Sequence, residues 1–202
     1  MTQKLIRESI EATRALMDRC LGDAALLAAV EKAGEVCVGA LKAGGKILLA
    51  GNGGSAADAQ HISAELVSRL NYDRPGLCAL ALTTDTSALT AIGNDYGYEY
   101  VFARQVEAVG RKGDVLIAIS TSGNSPNILA ALAAARKAGI ATVGLTGQSG
   151  GKMAPLCDIA LKIPSGCTPN VQECHIMFGH IICQIIEDTL FGKEYGKKDK
   201  VI

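Results

Sequence analysis

The chain holds only three histidines, and their placing is the first chemical signal in it. His61 precedes Glu65 by four residues, so on a helix the imidazole and the carboxylate lie on one face about one turn apart. Such a pair can share a divalent metal or a proton-transfer site, or it can be an exposed ion pair worth a few tenths of a kcal/mol. The other two, His175 and His180, stand in VQECHIMFGHIICQIIEDTL, close to Gln172 and Glu173. The second half of that segment is strongly apolar, which buries His180 and demands either a partner for it or a neutral ring. Gln172 and His180 are separated by about 12 Å along one helix axis, so one metal cannot readily take both from a single straight helix. The expectation is therefore a site between subunits, with His180 or Gln172 reaching the His61–Glu65 pair of a neighbouring copy.

Two loops carry a second kind of chemistry. Gly51-Asn52-Gly53-Gly54-Ser55-Ala56-Ala57-Asp58 follows an apolar run and opens a helical stretch. Its glycines permit a tight turn, and the helix behind them offers free amides and a positive dipole end. The loop fits the loose dinucleotide pattern G-x-G-x-x-A and equally a plain strand–helix turn. It lacks a Walker A lysine, and the nearest acidic residue after the next run, Asp85, lies late for a ribose ligand. Ser120-Thr121-Ser122-Gly123-Asn124-Ser125-Pro126-Asn127 follows a later run. Capping the next helix needs one such residue. Four hydroxyls before a helix-starting proline exceed that need and suit a phosphate monoester. The two loops together suggest a ligand with a phosphate at one end and many hydroxyls.

The elements that must position these residues alternate. Residues 2–43 read as helix without proline, with a break at Gly22-Asp23, and Gly44-Gly45 ends that segment. Five short apolar runs follow: KILLAG (46–51), LCALAL (77–82), DVLIAIS (114–120), IATVGLT (140–146) and DIALKIP (158–164). Runs apolar throughout suit strands of a parallel sheet covered on both faces. Helical stretches fall at 55–70, 98–111, 126–138 and 170–191. This alternation predicts a doubly wound α/β three-layer sandwich around a five-stranded parallel sheet, with a long N-terminal helical segment. In such sheets ligands sit at the carboxyl ends of the strands, where both loops fall.

Composition narrows the function classes. A chain of 202 residues with 49% hydrophobic content suits one domain with a sizeable core. Equal numbers of basic and acidic residues, 20 of each, leave no excess for a phosphate backbone, and 4% aromatics without tryptophan leave no base-stacking surface. The expected partners therefore include no nucleic acid. They include no membrane either, since no run of 18 apolar residues exists and the start lacks a signal-peptide pattern. The expected compartment is the cytoplasm. Seven cysteines without a C-x-x-C pair read as buried hydrophobes rather than a disulfide frame. The polar tail GKEYGKKDK is expected to fray.

The first loop continued through Ala59-Gln60-His61 to Glu65, the serine loop Ser120–Ser125, and Gln172-Glu173-x-His175, in that order, resemble the phosphoheptose isomerases. These are single-domain members of the sugar isomerase (SIS) superfamily, and the likeness spans nearly the whole chain. It implies one SIS domain over 1–202, whose segment 1–43 packs on the sheet or on a neighbouring subunit. It implies a cytoplasmic homotetramer with sites at subunit interfaces, converting D-sedoheptulose 7-phosphate to D-glycero-D-manno-heptose 7-phosphate for bacterial surface polysaccharides such as lipopolysaccharide. It further implies one zinc ion per subunit on His61, Glu65, Gln172 and His180, with Glu65 as base and His180 as acid. Substrate contacts would fall on Asn52, Gly53, Gly54, Ser55, Glu65, Asn94, Asp95, Ser120, Thr121, Ser122, Ser125 and Gln172. Asn170 stands where relatives often carry a basic residue, which bears on local phosphate or subunit contacts.

Other readings follow from the same residues. A non-catalytic SIS scaffold that binds a replication initiator protein shares the length and the loops, but that kind of protein lacks the acid–base pair present here. A sugar-phosphate-sensing regulator would need a DNA-binding module beside the sheet. Another aldose–ketose isomerase would use the same loops. A nucleotide-dependent oxidoreductase has only the glycine loop in its favour.

Overall fold

Each of the five apolar runs becomes a strand. The computed structural model describes residues 2–195, so residues 196–200 of the tail expected to fray lie outside the described residues. Strands β1 (Ile47–Ala50), β2 (Ala79–Ala81), β3 (Val115–Ser120), β4 (Ala141–Thr146) and β5 (Ile159–Lys162) form one sheet in the order β2-β1-β3-β4-β5. All four pairings are parallel. Among the described residues seven α-helices accompany them: α1 (Thr2–Gly22), α2 (Ala24–Lys42), α3 (Gly54–Val67), α4 (Thr86–Asp95), α5 (Ala103–Val109), α6 (Pro126–Lys137) and α7 (Thr168–Phe191).

Strand residues alternate between two cores, because successive side chains leave a strand on opposite faces. Ile47 and Leu49 of β1, with Val115, Ile117 and Ile119 of β3, pack into a core shared with α1, α2, α3 and α7. Leu48, Ala50, Leu116 and Ala118 face the other way, into a core shared with α5 and α6. The result is the expected three-layer α/β sandwich. Its strand order reverses between β1 and β3, which places the crevice of the switch point between the two loops singled out above.

The N-terminal segment splits where the sequence suggests. Asp23 caps α2 by accepting the Leu26 amide at 3.0 Å. Two other expectations need correction. The strand expected over 77–82 is only three residues long, because it lies at the sheet edge, where Leu80 is left exposed. The helix expected over 98–111 is a 3₁₀ turn at Tyr98–Tyr100 followed by α5, while α4 stands before it. Asp85 is the N-cap of α4, its side chain accepting the Ala88 amide at 2.9 Å. No residue of α4 is fully buried, and its apolar face is short, Leu89 and Ile92 packing partly buried against the second core, so little periodicity betrays it. All seven cysteines are free; Cys20, Cys37, Cys174 and Cys183 are buried as expected, whereas Cys78 and Cys167 are exposed. Among the described residues no helix is long and apolar enough to cross a membrane.

The buried histidine of α7 is His175, at 0% exposure, whereas His180 is only partly buried. Both ring nitrogens of His175 lack a hydrogen-bond partner among the described residues. Burial pushes its imidazole down to about 4 from the usual 6.5, so the ring is neutral in the fold. The unfolded chain takes up a proton there as pH falls below the usual value, and the folded chain does not. The stabilisation is complete above that value and is lost as pH falls toward the folded one. Between pH 7 and pH 5 this group should remove about 2 kcal/mol of stability. Urea unfolding at both pH values should show that loss in the unmodified protein and a flatter dependence in His175→Leu; equal slopes would contradict it.

Candidate active site

Residue 179 of α7 has no side chain, and that absence lets α7 lie against α3. A Cβ built there would stand 2.6 Å from Cδ1 and 2.8 Å from Cγ1 of Ile62, so any larger residue would force Ile62 or the two helices to shift. The next residue on α7, His180, thereby meets the residue before Ile62. The Nε2 atoms of His61 and His180 are 2.9 Å apart, with ring centroids at 4.9 Å and the planes at 63°. Glu65, one turn further along α3, brings its Oε1 to 3.1 Å from the same Nε2 of His61. Ligand atoms of all three side chains lie within 4.8 Å of one another, and the His61 side chain is half exposed.

This convergence corrects the expectation that His180 reaches the pair of a neighbouring copy: it reaches His61 and Glu65 of its own chain. Gln172 takes a different place. Its carboxamide rests on the first residue of α3, where a Cβ on Gly54 would stand 2.6 Å from Nε2 of Gln172. Gly54 lies about two turns before His61. Three of the four expected metal ligands therefore converge, and the fourth faces the other end of the same helix.

The three converging atoms present a proton conflict. Two facing imidazole nitrogens and a carboxylate oxygen need at least one hydrogen between them, and His61 Nε2 cannot both donate to Glu65 and accept from His180. A cation would resolve the conflict by taking all three lone pairs. Neighbouring ligands on a tetrahedral zinc ion with bonds of about 2.0–2.1 Å stand about 3.3 Å apart, close to the spacing seen here. The donor set of two imidazoles and a carboxylate fits such an ion. One turn before His61, Asp58 has a buried Oδ2 without a partner among the described residues. Burial pushes its carboxyl above the usual range, and His61 works against that shift.

The glycine loop turns at Gly53, whose φ of +55° favours glycine. Asn52 before it is held by a reciprocal amide pair with Asn127, at 2.9 and 2.8 Å, and its Oδ1 also accepts the Tyr98 hydroxyl at 3.3 Å. Asn127 is 3% exposed. Neither Asn127 nor Tyr98 is among the expected site residues. Asn127 ends the serine-rich segment, but its partner lies 75 residues away and leaves no local signal. Asn52, Tyr98, Glu99, Ser125, Pro126 and Asn127 line a cavity of about 450 Å³.

In the serine loop, the hydroxyls of Ser120 and Ser125 are 3.0 Å apart, and Ser122 Oγ accepts the Asn124 amide. Ser125 occupies the N-cap of α6 yet makes no side-chain cap bond, so its hydroxyl is spent on Ser120 and the first-turn amides keep no side-chain cap. That favours an anion there over simple capping. Thr121 and Ser122 also line a polar cavity of about 340 Å³ with Gly147, Gln148, Ser165 and Thr168. Ser55 is buried behind the glycine loop. Asn94 and Asp95 end α4, exposed and bonded to each other at 2.8 Å. Asn170 donates to Thr13 of α1 at 2.9 Å and to Glu173 at 3.2 Å, so in this chain the position ties α1 to α7.

Residues 10–147 match the family model described as the SIS domain. The chain is 58% identical over 189 residues to a phosphoheptose isomerase of Burkholderia pseudomallei (strain 1710b), covering 94% of this chain and 96% of that one. It is 59% identical over 181 residues to phosphoheptose isomerase 2 of Campylobacter jejuni, covering 90% of each. The solved structure of the phosphoheptose isomerase from Neisseria gonorrhoeae matches with a TM-score of 0.88 at 42% identity, over 93% of this chain and 100% of that one. The chain belongs to the SIS-domain family and, within it, to the phosphoheptose isomerases.

Proposed function

We propose that this enzyme converts D-sedoheptulose 7-phosphate into D-glycero-D-manno-heptose 7-phosphate through an enediol. The observation that carries this reading is the meeting of Glu65 with His180 at His61 within one chain, beside two phosphate-type loops. Ser120, Thr121, Ser122 and Ser125, with the Asn127 amide in the first turn of α6, hold the phosphate. Asn52, Gly53, Gly54, Asn94, Asp95 and Gln172 contact the sugar and fix C1 and C2 against the acid–base pair, while the buried Ser55, its amide bonded to the Asn52 carbonyl, supports the loop from behind. The Asn52 amide is largely committed to Asn127 and Tyr98, so that position contributes backbone and at most its remaining N–H.

The residues divide the chemistry as follows. Glu65 turns Oε1 to His61 and keeps a second carboxylate oxygen for the C1 proton. As that proton leaves carbon, His180 gives one from Nδ1, the ring nitrogen not turned to His61, to the C2 carbonyl oxygen, and the electron pair becomes the C1–C2 double bond of the enediol. Glu65 then returns its proton to C2 while His180 takes the proton of the C1 hydroxyl, which leaves the aldehyde at C1. Each residue ends in its starting state. His61, Glu65 and His180 would hold one zinc ion per subunit, while Gln172, lying against Gly54 at the other end of α3, stays with the sugar. Bound there, the ion supplies a Lewis acid that stabilises negative charge developing on the sugar oxygens.

Self-association as a homotetramer, with sites at subunit interfaces, is part of the proposal. It is supported by α1, where Leu5, Ile6, Ile10 and Leu21 are 51–73% exposed, and by α4, none of whose residues is fully buried within its own chain. The whole chain acts as one SIS domain in the cytoplasm, feeds heptose-containing surface polysaccharides, and binds neither nucleic acid nor membrane. The scaffold reading has no support: the curated relatives named above are isomerases, and Glu65 and His180 are both present.

The purified protein incubated with sedoheptulose 7-phosphate should form the aldose heptose. Chelator should suppress turnover and added zinc should restore it; formation of no heptose under any metal condition would overturn the proposal. In Glu65→Gln the amide cannot accept a proton from carbon, so kcat should fall by about 100-fold or more while the sugar phosphate still binds. Near-normal turnover of that variant in a zinc-replete assay would remove Glu65 as the base.

A further inference from the structure

Two turns beyond His180, and on the same face of α7, lies a glutamate with no access to solvent. Glu187 is 0% exposed and pairs with Arg74, whose side chain is 1% exposed, at 3.1 Å. The guanidinium does more than pair. Nη2 donates to the backbone carbonyl of Glu65 at 2.8 Å, and Nη1 donates to the carbonyls of Leu66, Ser68 and Pro75 at 2.7–3.1 Å. These include carbonyls left without helical partners at the end of α3, where a cation is also favoured by the helix dipole. Glu187 in turn accepts the amides of Leu70 and Asn71 at 3.0 and 2.9 Å.

We propose that Arg74 and Glu187 are positioning residues for the isomerase site, their buried ion pair fixing where α3 presents Glu65 to His180. A buried ion pair rarely adds stability over a well-packed apolar pair, because both ions are desolvated, and its best-attested use is to set register. Here the register is that of α3 on α7. The Gly179–Ile62 approach sets how close the helices come, and the clamp sets the height of the Glu65 peptide. A misplacement of about 1 Å at a reacting centre can cost about 100-fold in rate. Rotamer freedom at Glu65 could not repair an axial shift without breaking its contact with His61. The inference rests on the acid–base roles proposed above.

The test compares the unmodified enzyme with Glu187→Gln, Arg74→Lys and the apolar double variant Arg74→Met/Glu187→Leu. Each should lose about tenfold or more in kcat while KM for the sugar phosphate stays within about twofold. The double variant takes the partners from the carbonyls of Glu65, Leu66, Ser68 and Pro75 and from the amides of Leu70 and Asn71, so it should melt below the unmodified enzyme. Glu187→Gln keeps every contact of Arg74 with the backbone carbonyls and one acceptor oxygen at position 187, and it carries the test if the other variants fail to fold. In parallel, NMR of the three imidazoles should show the His61 and His180 resonances moving in the variants while that of His175 stays. Folded variants with normal kcat and unmoved His61 and His180 signals would overturn the clamp. An unmodified enzyme that makes no heptose would instead sink the proposed reaction, and the NMR arm would still decide the clamp.

Discussion

The site depends on one close approach between two helices. Where α7 passes α3, glycine at 179 lets Ile62 fill the space a side chain would need, and the flanking residues His61 and His180 are pressed to hydrogen-bond distance. Helix packing at this separation leaves little freedom, since a single methyl at the contact would collide. The same two helices meet again at both ends of α3, through Gln172 on Gly54 and through Glu187 with Arg74 on the last-turn carbonyls. Three contacts along one interface hold titratable groups in a geometry that neither helix could maintain alone.

The sheet supplies the other half of the site. Its order reverses between β1 and β3, so the glycine loop and the serine loop leave adjacent strand ends on opposite sides of one crevice. The Asn52–Asn127 amide pair bridges them directly, tying the turn before α3 to the first turn of α6. An anion held at the serine loop is thus registered against the helix that carries His61 and Glu65. Binding energy at the phosphate end can be used to place the reacting carbons.

Strand content and the two loops were legible because both rest on local signals. An apolar run of strand length and a cluster of glycines or hydroxyls need no distant partner to be recognised. The rest of the site depends on partners far along the chain. His180 looked buried because its neighbours are apolar, yet helix phase turns it to a half-exposed seam and turns His175 inward. The spacing of Gln172 and His180 correctly separates them along α7. The step from there to a neighbouring subunit fails for His180, because sequence does not reveal that Gly179 admits α3. Asp85, late in the sequence for a ribose ligand, is a helix cap; Arg74 and Glu187 look like ordinary surface charges until the fold buries them together.

Carbon-bound hydrogen moving through a carboxylate is the step on which the mechanism stands. A proton held on Glu65 in a half-open site can exchange with solvent before it returns, whereas a hydride passed directly between C1 and C2 cannot. The decisive measurement is the NMR spectrum of the aldose formed from sedoheptulose 7-phosphate in D₂O. Deuterium at C2 is the expected result. Product that carries only protium at C2, at every stage of conversion, would contradict the account.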